Sequence, residues 1–209
     1  MIFIMKKSNI VKDTIILTAI SLVLQSLSLL LNIFITKKLG TSAIGIASLI
    51  YSFYAFVIIL ANGNIFTSTS RFVSEEIGKG NGNVEKIVGY ALKFSMVLSC
   101  SFAIVIFIFA PKIGLQFLKS SSAVIAIRIL AISIPLATVG SCLKGYFHAM
   151  RLVKKPCISD VIEFFIKAII LWVFVAFFIP SGKIDIFTAI SISMVFGEVA
   201  SCIYLSVSY

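Results

Sequence analysis

Three ionisable residues inside one apolar stretch, Asp160, Glu163 and Lys167, follow one another at steps of three and four. On a helix they share one face. A charge at the centre of a membrane helix costs roughly 2.5–3.5 kcal/mol on insertion scales, so each calls for a partner or a polar cavity. Lys167 lies about nine residues into its stretch, roughly 14 Å deep at 1.5 Å per residue, too far to reach the headgroups. Two chemistries fit it: neutralisation by Glu163 one turn away, holding helices together, or a cavity charge that meets an anionic substrate. Glu198, on a face with Thr188, Ser191 and Cys202, falls at a similar depth in the last apolar stretch. Either Glu163 or Glu198 could pair with Lys167, and a proton or cation relay through the two glutamates is the alternative.

Other polar groups read more simply. Lys144, His148 and Arg151 are spaced four and three, on one face near the end of a span. The expectation there is snorkelling towards lipid headgroups, with Lys144 also a candidate for a substrate cavity. Arg128 and Lys93 lie near span ends and fit the same description, and Arg71 with Glu75 reads as a surface helix pair. There is a single histidine, and no G-x-S-x-G, H-E-x-x-H or Walker-type stretch, so neither enzyme chemistry nor a cofactor or metal is expected. Cys100, Cys142, Cys157 and Cys202 lack CxxC spacing and lie in or beside apolar spans, which points to packing.

The first apolar stretch carries a polar seam. Thr14, Thr18, Ser21, Gln25, Ser28, Asn32 and Thr36 recur every three or four residues. At 100° per residue they fall within an arc of roughly 80°. Such a face at membrane depth meets either another helix or a watery cavity, and the seam alone leaves both open. Gln25 and Asn32 are the candidates for cavity contact.

The elements that must position these groups follow from hydropathy. The chain has 209 residues, 60% of them hydrophobic, with mean hydropathy +1.13. Its charged share of 12% is about half the usual ~25%. A span needs roughly 20 apolar residues, and six stretches qualify: about 14–36, 43–62, 87–110, 122–149, 158–180 and 186–208. The fold class expected is all-α, a polytopic membrane protein of six transmembrane helices.

The net charge of +10 is distributed as topology would place it. With the N-terminus cytoplasmic, Lys6, Lys7, Lys12, Arg71, Lys79, Lys86, Arg151, Lys154 and Lys155 lie inside, against Lys37, Lys38, Lys112, Lys119 and Lys183 outside. That bias predicts both termini in the cytoplasm. The basic excess therefore speaks of orientation and anionic lipid, and nucleic acid is not expected as a partner. The basic start precedes an apolar run too long for a cleavable signal peptide.

Asn62-Gly63-Asn64 predicts a break after the second span, followed by an amphipathic continuation over 65–77 and a turn over 78–83. Pro111 is expected to close the third span. Pro135, with Gly140 five residues on, predicts a bend in the fourth. Ser120 opens the fourth span, Pro156 starts the fifth, and Pro180-Ser181-Gly182 ends it.

Four stretches, taken in order, resemble one superfamily. They are Leu39-Gly40, residues 70–76 followed by Gly78-Lys79-Gly80-Asn81, residues 143–150 (Leu-Lys-Gly-Tyr-Phe-His-Ala-Met), and Pro156 with Ser159-Asp160-Val161-Ile162-Glu163 and Lys167. Together they resemble the polysaccharide-flippase branch of the multidrug/oligosaccharidyl-lipid/polysaccharide exporter superfamily. The resemblance implies a transporter of lipid-linked saccharides for cell-envelope or spore-cortex synthesis. It implies two six-helix lobes working by alternating access, of which this chain is similar to the N-terminal one, with a second lobe supplied by another chain as a possible partner. Arg71, Glu75, Glu163 and Lys167 match the family's charged positions, with Lys167 where Arg is common and His148 where Gln often stands. Lys at that site binds phosphate as a point charge, without a bidentate fork. A cation-coupled multidrug antiporter, using Glu163 and Glu198 as ion sites, is the alternative within the superfamily. A membrane fragment that transports nothing is the alternative outside it.

Overall fold

The computed structural model describes residues 7–39, 41–80, 83–117, 121–178 and 185–209, with side chains for 15–37, 45, 48–80, 83–116, 122–177 and 185–209. Lys6, Gly40, Asn81, Gly82, Lys119, Ser120, Pro180, Ser181, Gly182 and Lys183 lie outside the described residues. The side chains of Lys7, Lys12, Thr14, Lys38 and Leu39 lie outside them too.

Among the described residues the chain is helical, without strands. The helices are α1 (Lys7–Leu39), α2 (Thr41–Asn62), α3 (Ile65–Lys79), α4 (Val84–Lys112), α5 (Ser121–Ala149), α6 (Lys154–Val173) and α7 (Ile186–Ser208). Five of the six apolar stretches expected from hydropathy fall within these helices; the fifth, 158–180, starts in α6 and continues through wide π-helical turns over Phe174–Phe178, its last two residues lying outside the described ones. Helix α3 is the amphipathic continuation. Four single helices (α1, α4, α5 and α7) and the α2–α3 pair taken together are long and apolar enough to cross a membrane. The remaining one, α6, is the helix that carries Asp160, Glu163 and Lys167.

The break between α2 and α3 follows from Gly63 and Asn64, both in the left-handed region with φ of 48° and 59°. Gly and Asn tolerate that conformation at little cost. One proline acts differently from expectation. The helix does not stop at Pro111: α4 runs to Lys112 and then loosens into wide π-helical turns over Ile113–Phe117. Proline disturbs the turn before it, where its missing N–H and ring meet the carbonyl four residues back, and leaves the following turns free to stay helical. Helix α5 passes through Pro135 as one helix, and the expectation of a bend there concerns its axis, not its continuity.

Helix α5 is the centre of the packing and touches α2, α3, α4 and α7. Small residues along it, Ala123, Ala126, Ala131 and Ser133, are buried and let neighbouring backbones approach, as membrane helix contacts require. Gly145 takes this furthest, since a Cβ there would lie 2.5 Å from the carbonyl oxygen of Phe66 on α3. Ile50, Tyr54 and Val57 of α2 and Met194 of α7 complete the main core. Polar clasps fix the helices at several levels. The Tyr54 and Ser133 hydroxyls share a hydrogen bond between α2 and α5, and those of Ser159 and Ser201, 2.6 Å apart, link α6 to α7. At one end, Lys155 donates to the Ser208 carbonyl at 2.6 Å and stands 4.7 Å from the centre of the Phe147 ring. At the other, Ser122 donates to Asp185 at 2.6 Å.

Candidate functional site

A tight connection sets the site. After α5 the chain reverses within four residues, with Arg151 at a φ of 58° and the Leu152 N–H donating to the Phe147 carbonyl at 2.8 Å. This lays α6 back beside α5 and brings Lys144 against Asp160. The Lys144 ammonium donates to Asp160 Oδ1 at 2.7 Å and lies 3.7 Å from Glu163 Oε2. The other oxygen of Glu163 accepts from Lys167 at 3.2 Å. Four charges thus form one chain across two helices, alternating in sign. Asp160 is the most open member, its side chain 48% exposed, while those of Lys144, Glu163 and Lys167 are 25%, 19% and 25% exposed.

These four groups line a cavity of about 910 Å³. Facing them, α1 supplies Ser21, Gln25, Ser28 and Asn32, so the middle of the polar seam borders this space. Ser48, Tyr51 and Ser52 of α2 and Ile190 of α7 fill out the wall. The wall therefore has a charged side on α5 and α6 and an uncharged side of hydroxyls and amides on α1 and α2. The uncharged groups can donate and accept hydrogen bonds, and the charged side can exchange ion-pair partners.

The candidates Gln25, Asn32, Lys144, Glu163 and Lys167 thus stand around a single space. Glu198 does not line it. That residue is partly buried on α7 beside Gly197, within electrostatic reach of Glu163 and Lys167, and makes no ion pair among the described residues. Lys144 departs from the expected snorkelling and turns inward, because the α5–α6 reversal offers it a carboxylate. Its neighbours on that face do not follow: His148 packs edge-on against Phe66 at 5.0 Å, and Arg151 is exposed at the turn. Arg128 sits 5.3 Å from the Phe107 ring centre, and Arg71 pairs with Glu75 at 2.9 Å on the surface. Sequence reasoning passed over Ser48 and Ser52 as cavity residues. Two hydroxyls four apart in an apolar run were the available signal.

Position on α6 depends on α7. A Cβ on Gly197 would stand 3.1 Å from the Glu163 carbonyl oxygen and 3.3 Å from Lys167 Cε, so the glycine permits close approach behind the ion pair.

Comparison with known proteins adds the lineage. The MatE family model matches residues 18–173, a region that includes all four ionisable residues of the cavity. Stage V sporulation protein B of Bacillus subtilis (strain 168) is 24% identical over 206 residues, 98% of this chain and 40% of that protein. The chain thus spans about two fifths of the length of this relative. No solved structure matches the chain. With a family match over most of its length and a multi-helix apolar architecture, the chain belongs to the MatE family.

Proposed function

We propose that this chain is one lobe of a flippase-type transporter that carries lipid-linked saccharide precursors across the cell membrane by alternating access. The observation that carries the reading is the two-sided cavity at membrane depth. Lys144 and Lys167 offer cationic contacts for headgroup phosphates, and Gln25, Asn32 and the serines of α1 and α2 offer hydrogen bonds suited to sugar hydroxyls. Ionisable groups this deep mark a substrate or ion path by default. The name of the Bacillus subtilis relative ties that protein to sporulation, which supports cell-envelope or spore-cortex saccharides as cargo. In this reading both termini are cytoplasmic, and a second lobe, joined to this one or contributed by another chain, supplies the opposing wall for rocking.

A labelled polyprenyl-diphosphate saccharide, followed across vesicles that contain the two-lobed transporter, tests the proposal. Lys167→Ala should abolish its translocation while the protein still accumulates in the membrane. Unchanged translocation by that variant rejects the reading.

A second reading has its own observation. Glu198 stands close enough to both Glu163 and Lys167 to interact with them, and makes no direct ion pair among the described residues. That arrangement favours a cation-coupled antiporter of the same superfamily. Loss of Na⁺- or H⁺-driven efflux in Glu198→Gln, with saccharide translocation absent throughout, supports this alternative.

A further inference from the structure

Among the described residues, the charged side chains that line the cavity, Lys144, Asp160, Glu163 and Lys167, carry two positive and two negative formal charges, so this part of the lining is neutral. They are also mutually satisfied. Asp160 holds Lys144 at 2.7 Å, Lys144 lies 3.7 Å from Glu163, and Glu163 holds Lys167 at 3.2 Å. A ligand with negative charge alone would draw both ammonium groups away and leave two carboxylates facing it. Stripping partly buried carboxylates of their cations is expensive, and like charges set against each other work against binding. A ligand that brings a phosphate and a primary ammonium together returns a cation to the carboxylate side as its phosphate draws on the lysines.

We infer that the cavity selects zwitterionic headgroups, in which an anionic phosphate is accompanied by a free amine. The phosphate is received by Lys167 and Lys144, and the ammonium by Asp160, the most open of the four side chains. The uncharged wall of Gln25 and Asn32 serves neutral parts of the headgroup and does not discriminate by charge. This inference rests on the reading above, that the cavity takes a lipid headgroup, and specifies the charge class that it takes. Two sources carry this chemistry: an amine-bearing lipid-linked saccharide and phosphatidylethanolamine.

The test measures binding to the full-length chain in detergent by native mass spectrometry. One arm compares an amine-bearing polyprenyl-diphosphate saccharide with its N-acetylated form. The other compares phosphatidylethanolamine with its N-acetylated form and with phosphatidylglycerol. Acetylation should weaken binding about tenfold or more in at least one arm, and the arm that responds identifies the source. Asp160→Asn should shrink that gap. Binding of amine and acetylated forms within about twofold of each other in both arms overturns the inference, as does tighter binding of phosphatidylglycerol or no binding at all. Such an outcome leaves the flippase reading standing, since that reading is judged separately, by translocation of lipid-linked saccharide in vesicles and its loss in Lys167→Ala.

Discussion

Gly197 of α7 faces the backbone of Glu163 so closely that an added Cβ would come within 3.1 Å of the Glu163 carbonyl oxygen. The atom in the way belongs to a helix backbone and cannot swing aside. Gly197→Ala should therefore push α6 outward by a few tenths of an ångström, costing about 1 kcal/mol in stability and displacing the Glu163–Lys167 pair. Thermal unfolding in detergent reads the first effect and vesicle translocation the second. Stability and translocation both at wild-type values would show that α6 and α7 have slack at this level.

Gly145 poses a sharper version of the same constraint. Its absent Cβ would lie 2.5 Å from the Phe66 carbonyl oxygen, closer than any real contact. Gly145→Ala should cost about 2–3 kcal/mol, more than the change at Gly197, by separating α3 from α5. The ranking of the two variants by unfolding temperature is the check, and the reverse order would contradict the packing described.

The ion pair on α6 separates stability from function. Removing one partner of a buried pair is costly, whereas replacing both with apolar residues is often neutral. Glu163→Gln alone should destabilise by about 1–2 kcal/mol, less than a fully buried pair because both side chains keep some exposure. The double change Glu163→Leu with Lys167→Leu should regain most of that stability and still fail to translocate. A double variant that translocates normally would reduce the pair to a helix clasp.

Ser159 and Ser201 join α6 to α7 by a buried hydroxyl pair 2.6 Å apart. Either serine changed to alanine should cost on the order of 0.6–1.7 kcal/mol, the range for hydrogen bonds between membrane helices. The double variant should cost clearly less than the two added together. Strict additivity in an unfolding cycle would mean that the two hydroxyls do not depend on one another.

Orientation is open to direct measurement. The excess of Lys and Arg on alternate connections predicts that a reporter fused before Met1 and another fused after Tyr209 are both active on the cytoplasmic side. An extracytoplasmic signal from either fusion would invert the assignment.

How much of this was legible beforehand varies by kind of information. Hydropathy located the apolar helices, and Asn62-Gly63-Asn64 located the α2–α3 break, because length and a left-handed pair of residues are local properties. The shared face of Asp160, Glu163 and Lys167 was also local. The Lys144–Asp160 pair was not, because it depends on how a four-residue reversal lays α6 beside α5, and nothing in the periodicity of either helix states that angle. Read alone, Lys144 belonged with His148 and Arg151 at a span end. The seam of α1 was visible in sequence, yet whether it met a helix or a cavity depended on partners far away in the chain. Continuation past Pro111 shows the limit of single-residue rules, because a helix already held by its neighbours can absorb a proline that would end a free one.

The way α1 is held has a further consequence. Its most apolar stretch buries no side chain against the rest of the chain, and it touches chiefly α2 and α6. One wall of the cavity is thus positioned less by protein than by whatever presses on its outer face. For a helix so loosely fastened, acyl-chain length and lateral pressure become structural variables. The bilayer then acts as part of the site's architecture, setting the width of the space between Gln25 and Lys167 as well as surrounding it.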